Sequence, residues 1–457
     1  MSMSYVKTSG VYRRRSKRSN VRKRRIVAFA GIVTLATLVA WLWNDGRGGD
    51  TGPRVAAATA VKAVPVAVPW TASQVGVLDK RLNGAFASAL NGAAGWSLAV
   101  VDARGRTLFA DRATHAVAPA STQKLIIAAT ALAAFGPGYR FQTVFAADNP
   151  IDDGVVRGNI WLAGSGDPSL ETGDVRNGIA MLSRAGLREV TGRVAVDATA
   201  LRGPGLNPHW TAFDVGEDYA APTSALSLDS DTIETHVLEN GSELPVWTPM
   251  TDVATYVAAR AAQMFARRGI AVASSPLVAA APLDSVVLWN HRSAPLHSLE
   301  THMLVFSDNH YAEQLLRAVG SRATDDPDDA GGIAAERRFL QVSNVPTPGL
   351  RLLDGSGLSH GNRVAAMTLA DLLAAEEKEL YPLLPRGGRD GTLSDYQFTT
   401  ALGRVRAKSG HLATVASLAG YATTMHHGRV AFAFLIDGSP GDPDASIVSA
   451  VDRLVEL

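Results

Sequence analysis

The sequence predicts an α+β fold: an antiparallel sheet covered by helices, with a strand-rich domain inserted into it and a membrane-spanning helix ahead of it. Three observations predict this. Helical spacing of apolar residues opens and closes the folded region and returns after residue 298, apolar strand runs flank turns at 96–110 and 416–436, and between 141 and 287 short strand runs are broken by Gly, Asp and Pro. With 457 residues, 46% of them hydrophobic and 19% charged, the chain has material for two or three domains.

The first element is a basic tail, residues 1–25, which holds ten Lys and Arg and no acidic residue. It runs into an uncharged stretch, 26–43, which at a helical rise reaches roughly 27 Å, enough to cross a bilayer. The positive-inside rule leaves the tail in the cytoplasm and sends everything after Asn44 across the membrane, with Trp41 and Trp43 at the outer interface. The nearest small-x-small cleavage pattern, Ala58-Thr59-Ala60, lies well downstream, so the segment is expected to stay as a single-pass signal anchor rather than be removed. Residues 44–69, rich in Gly, Ala, Val and Pro, suit a flexible linker between the membrane and the folded body.

The body is expected to begin near Trp70 with a helix over 74–90, where Val75, Leu78, Leu82, Phe86 and Leu90 share one face. Strands at 96–102 and 107–110 around Ala103-Arg104-Gly105-Arg106 form a hairpin. A helix from about 120, apolar on nearly every face, ends at Gly136-Pro137 and is therefore expected at the centre of the domain. Residues 141–287 read as the inserted domain. Helices follow at 299–319 and 333–342, then a loop at 354–359, strands at 416–424 and 429–436 around Met425-His426-His427-Gly428, and a helix over 445–455. The helix-and-sheet domain thus comprises 70–140 and 288–457.

Composition excludes several kinds of function. Without the tail's ten cations the chain carries 34 basic against 43 acidic residues, so no positive footprint for a nucleic acid exists. Cysteine is absent, which removes thiol nucleophiles, thiolate metal sites and disulfides. The eleven histidines show no ligand spacing with carboxylates, His426-His427 reads as a hairpin turn, and Gly164-Ser165-Gly166 lacks the Gly-Lys of a phosphate loop. No metal or cofactor is expected.

Polar residues at the start of the apolar central helix need a reason. Ser121-Thr122-Gln123-Lys124 puts a hydroxyl and an amine three residues apart, on one helical face. Serine is a poor nucleophile unless a neighbouring base takes its proton, and lysine serves when burial or nearby positive charge makes its neutral form accessible. The helix terminus offers unpaired amides to a developing oxyanion. Alone the quartet is weak, since Ser4-Tyr5-Val6-Lys7 also fits by chance. Two further motifs follow in order. Ser307-Asp308-Asn309 offers a hydroxyl and an amide for proton relay and substrate holding. Lys408-Ser409-Gly410, leading toward an apolar strand, offers a cation, a hydroxyl and a residue that lets substrate approach the backbone.

The ordered set Ser-x-x-Lys, Ser-x-Asn and Lys-Ser-Gly resembles the penicillin-interacting serine enzymes, and more narrowly the D-alanyl-D-alanine carboxypeptidase/endopeptidase family, the class C low-molecular-mass penicillin-binding proteins. The resemblance runs from about Trp70 to the C-terminus. It includes Gly164-Ser165-Gly166-Asp167-Pro168-Ser169-Leu170, Ser307-Asp308-Asn309-His310-Tyr311-Ala312-Glu313, Asp354-Gly355-Ser356-Gly357-Leu358-Ser359 and Asp390-Gly391-Thr392-Leu393. It implies a penicillin-binding-protein/serine β-lactamase-like domain and hydrolysis of peptidoglycan stem peptides ending in D-Ala-D-Ala through an acyl-enzyme on Ser121. Cleavage of D,D-crosslinks and covalent inhibition by β-lactams are also implied. Lys124 is then the base, Ser307 and Asn309 assist, Lys408 and Ser409 hold the terminal carboxylate, Gly410 admits the substrate, and the amides of Ser121 and His411 form the oxyanion hole. Ser409 keeps the hydroxyl of the family's usual threonine, whereas His411 stands where the family generally has Ser or Thr, a change that bears on substrate preference and β-lactam affinity. A β-lactamase or esterase on the same scaffold, or an inactive wall-binding protein, are the competing readings.

Overall fold

The computed structural model describes residues 68–239, 242–272 and 275–457. The basic tail, the expected membrane segment and the linker up to residue 67 lie outside these residues. Among the described residues no helix is long and apolar enough to cross a membrane.

Thr71 caps the first helix by accepting the Gln74 amide, and the Gln74 side chain returns the bond, so α1 (Ala72–Leu90) starts where this capping box dictates. The hairpin β1 (Gly95–Asp102) and β2 (Thr107–Asp111) follows. The helix expected from 120 opens instead as a 3-10 turn, Ala120–Gln123, before becoming α2 (Lys124–Phe135). That tighter winding stacks residues three apart and so brings Ser121 and Lys124 into line. Every residue of α2 from Lys124 to Leu132 is buried, which accounts for its apolar circumference.

The inserted region starts with β3 (Gln142–Ala147), β4 (Val155–Val156) and β5 (Ile160–Gly164), then α3 (Thr172–Arg184), β6 (Glu189–Val190) and β7 (Val194–Asp197). After a long loop, β8 (Thr232–Glu239) and β9 (Ser242–Pro249) make a two-stranded ribbon. It ends with α4 (Val253–Arg267), β10 (Ala271–Val272), β11 (Leu277–Val278) and β12 (Val286–Arg292). Two helices thus accompany the short strands in this strand-rich region, neither of them expected from the sequence. The buried residues of α4, among them Val257, Ala261, Met264 and Phe265, follow the helical period and pack with Phe145, Ile160 and Leu162 of the strands. The main sheet here runs β11-β7-β5-β3-β12. Because β12 pairs antiparallel with β3, residues 288–292, grouped by sequence with the helix-and-sheet domain, bond into this second sheet.

Beyond it come α5 (Leu296–Phe306), α6 (Asn309–Ala323), α7 (Asp329–Val342), α8 (Ala366–Ala375) and the single turn α9 (Glu377–Leu380). The helical run expected over 299–319 is broken at Ser307, which takes a left-handed conformation (φ 57°), and Asp308 recaps the chain by accepting the Tyr311 amide. The chain closes with β13 (Val405–His411), β14 (Val415–Thr423), β15 (Arg429–Asp437) and α10 (Pro443–Val455). Lys408, Ser409 and Gly410 therefore lie within a strand rather than ahead of one.

The principal sheet has the order β13-β14-β15-β1-β2 and is antiparallel throughout. Its strands sort side chains by alternation. Leu98, Val100, Phe432 and Phe434 face α1 and α10, against Leu82, Phe86, Ile447 and Val451; Ala99, Val101, Ala433 and Leu435 face the central helices. On the second face α8 packs across β1 and β15, whereas α2 packs among the helices and the 3-10 turn that opens it lies against β13 and β14.

Candidate active site

The nucleophile turn is fixed by bonds to its own backbone. Thr122 Oγ1 donates to the Pro119 carbonyl at 2.6 Å, and Ser417 Oγ, from β14, donates to the same carbonyl at 2.8 Å. Ala120, just before Ser121, is left-handed with φ 48°. Ser121 is half-buried, while Lys124 behind it is fully buried. Lys124 Nζ lies 2.9 Å from Ser121 Oγ, 2.7 Å from Asn309 Oδ1 and 2.7 Å from the Ser356 carbonyl. The last two can only accept hydrogen. A neutral amine here must spend both its N–H bonds on them and turn its lone pair toward the Ser121 hydroxyl. The Asn309 amide is held the right way round because its Nδ2 donates to the Tyr219 carbonyl at 3.0 Å.

The Ser356 carbonyl belongs to a loop wound around one buried carboxylate. Asp354 accepts from the amides of Gly357 (2.9 Å) and Ser359 (2.6 Å), from Asn362 Nδ2 (2.8 Å) and from Trp210 Nε1 (3.1 Å), and its carbonyl accepts from Gln123 Nε2. Glu313, on α6, takes the amides of Gly355 and Ser356.

The facing wall is β13. Lys408 is fully buried, and burial together with the positive charge of Lys124 pushes its ammonium well below the usual lysine range; its Nζ donates to the Ser409 carbonyl at 2.5 Å. Ser409 Oγ bonds Thr392 Oγ1 at 2.8 Å. A Cβ on Gly410 would lie 2.7 Å from the Ser121 amide nitrogen and 2.5 Å from Ser417 Oγ, so glycine is what allows strand and nucleophile turn to touch. A Gly410→Ala variant is therefore expected to push the two apart and slow β-lactam acylation about 100-fold, measured by stopped-flow labelling; an unchanged rate would show that the turn can shift without cost. His411, exposed, sets Nε2 at 2.9 and 3.0 Å from the two Asp444 oxygens.

Ser121, Lys124 and Asn309 are thus joined by direct bonds, and Gly410 abuts them. Ser307 sits two residues before Asn309 at the helix break, with no hydrogen bond from its side chain to the other members among the described residues. Sequence reasoning did not foresee the Ser356 carbonyl, the Tyr219 carbonyl, Glu313, Thr392 or Ser417 as members. Three of these lie inside motifs already singled out, so the available signal was the motif, not the contact.

A serine hydroxyl bonded to a buried lysine, on a helix-opening turn set against the Lys-Ser-Gly edge strand of an antiparallel sheet, defines a serine acyl-transfer site. The chain belongs to the D-Ala-D-Ala carboxypeptidase 3 (S13) family, whose family model matches residues 83–244 and 237–456. It is 29% identical over 444 residues to a D-alanyl-D-alanine carboxypeptidase of an Actinomadura species, covering 80% of this chain and 82% of that one. It is 30% identical over 344 residues to a carboxypeptidase of Mycobacterium tuberculosis, covering 69% and 70%. In fold it is similar to penicillin-binding protein 4 from Haemophilus influenzae, with a TM-score of 0.73 at 22% identity over 82% of this chain and 98% of that one. The Haemophilus protein has also been solved complexed with a β-lactam.

Proposed function

We propose that this protein is a serine D-alanyl-D-alanine carboxypeptidase that trims peptidoglycan stem peptides through an acyl-enzyme on Ser121. The observation that carries the reading is the hydrogen-bond fork at Lys124, which leaves its amine one direction in which to accept a proton, toward Ser121. Family membership and the names of the relatives supply the substrate class.

In the proposed reaction Lys124 takes the Ser121 proton as Oγ attacks the carbonyl between the two D-alanines. The oxyanion develops between the amides of Ser121 and His411, where hydrogen bonds gain most in a site closed to water. The C–N bond breaks as a proton passes to the leaving D-alanine nitrogen, with Asn309 and Ser307 along the route. Lys408 and Ser409 hold the terminal carboxylate, and water then hydrolyses the ester. The basic tail and the apolar stretch at 26–43 support a body held outside the cytoplasm on a single membrane helix.

Full-length protein in detergent, incubated with a stem peptide ending in D-Ala-D-Ala, is expected to release free D-alanine, and a bound β-lactam is expected to map to the peptide containing Ser121 by mass spectrometry. Absence of D-alanine would overturn the reading. Rapid turnover of the β-lactam would move it to a β-lactamase on the same scaffold.

A further inference from the structure

Glu313 plays no part in the reaction just described, yet it stands one helical turn past Asn309 on α6, on the face directed at the site. It is 2% exposed. Its Oε1 accepts from the Ser356 amide at 2.8 Å and from the Gly355 amide at 3.2 Å, and Oε2 lies 3.2 Å from the Gly355 amide. The next carbonyl along that backbone, of Ser356, is the one that accepts from Lys124 Nζ. The approach is close: a Cβ at Gly355 would lie 2.8 Å from the Ala312 carbonyl. One helix thus reaches the lysine twice, through Asn309 directly and through Glu313 across a single residue of the loop.

We propose that Glu313 is a positioning residue for acylation: by holding the Gly355 and Ser356 amides it aims the Ser356 carbonyl at Lys124 Nζ, and so keeps the amine's lone pair on Ser121. The inference rests on the function proposed above. Around Glu313 stand Asp354 from the loop, Asp329 and Glu336 from α7, and Arg317 on its own helix, the last paired with Asp329 at 2.6 Å. Burial, then the Asp354 charge, pushes the Glu313 carboxyl up to about 8. Below that pH the group is a neutral acid whose carbonyl oxygen does the accepting, and a glutamine offers the same oxygen in the same place.

The test compares acylation by a fluorescent penicillin and D-alanine release in four variants, with folding followed by thermal denaturation. Glu313→Leu removes the grip and is expected to lower the acylation rate constant about 10- to 100-fold. KM should hold within about threefold, because β13 is untouched. Glu313→Gln should recover at least about a third of the wild-type rate, since one carbonyl oxygen can serve both amides. Glu313→Asp, with the carboxyl group but a shorter reach, should resemble the leucine variant and replaces it if the latter does not fold. Glu336→Gln alters the same buried cluster without touching the loop and should leave acylation unchanged. Wild-type acylation in Glu313→Leu or Glu313→Asp, a loss confined to KM, or a glutamine variant as slow as the leucine one would overturn the assignment. Failure of wild type to acylate would instead overturn the function on which it rests.

Discussion

Replacing Ser121 with alanine is expected to lower D-alanine release by at least about ten-thousand-fold, Lys124→Met to cost nearly as much, and the double variant to be no slower than the worse single one. Nucleophile and base act as one unit, so the second loss removes nothing that the first has left. The lysine substitution is the more informative because it leaves the hydroxyl in place. Methionine matches the buried stem in volume but gives Asn309 Oδ1 and the Ser356 carbonyl no donor, a cost of about 1–3 kcal/mol for each group left unpaired. Thermal denaturation must therefore accompany the kinetics, and the comparison is made on folded protein. D-alanine release and penicillin labelling should fall together. Two single losses that multiply in the double variant would mean that Lys124 does not act through Ser121, and the hydrogen-bond fork would then need another meaning.

What could be read from the sequence follows the range of the interactions concerned. The hairpin at 95–111 and the last two strands, β14 and β15, were legible because alternation and turn residues are local, and α2 because a run apolar on all faces has few places other than a core. The break at Ser307 was not legible: the apolar spacing of Leu299, Met303 and Leu304 passes smoothly into that of Leu315, Leu316 and Val319, and only a left-handed residue between them separates α5 from α6. The inserted helices were obscured in the same way by the short strand runs around them. At the site, Ser121 and Lys124 are three residues apart and could be paired from spacing, whereas Lys124 meets Asn309 across 185 residues and Ser356 across 232. Those contacts depend on the whole antiparallel sheet having formed. Carbonyl groups such as those of Ser356 and Tyr219 leave no mark in sequence, because every residue carries one.

The loop that supplies the Ser356 carbonyl gives the other large effect. Gly357→Ala is expected to destabilise the protein by more than about 3 kcal/mol, or to leave it folded with acylation at least about 100-fold slower. Gly357 has φ 79°, and a Cβ there would lie 2.0 Å from the Ala120 carbonyl and 3.2 Å from Gln123 Cβ. The first of these is main chain, with no rotamer to swing aside, and Ala120 is the left-handed residue just before the nucleophile. Either the loop or the nucleophile turn must move, and both hold groups bonded to Lys124. Gly105 separates this overlap from the cost of the backbone conformation itself. It has φ 76° in the β1–β2 hairpin, and a Cβ there meets nothing within 4 Å, so Gly105→Ala should cost only the left-handed penalty of about 1–2 kcal/mol. Chemical denaturation of the two variants and penicillin labelling give the comparison. Equal destabilisation with unchanged labelling would show that the loop and the turn can separate while Lys124 keeps its partners. The close packing at Ala120 would then have no part in holding the lysine.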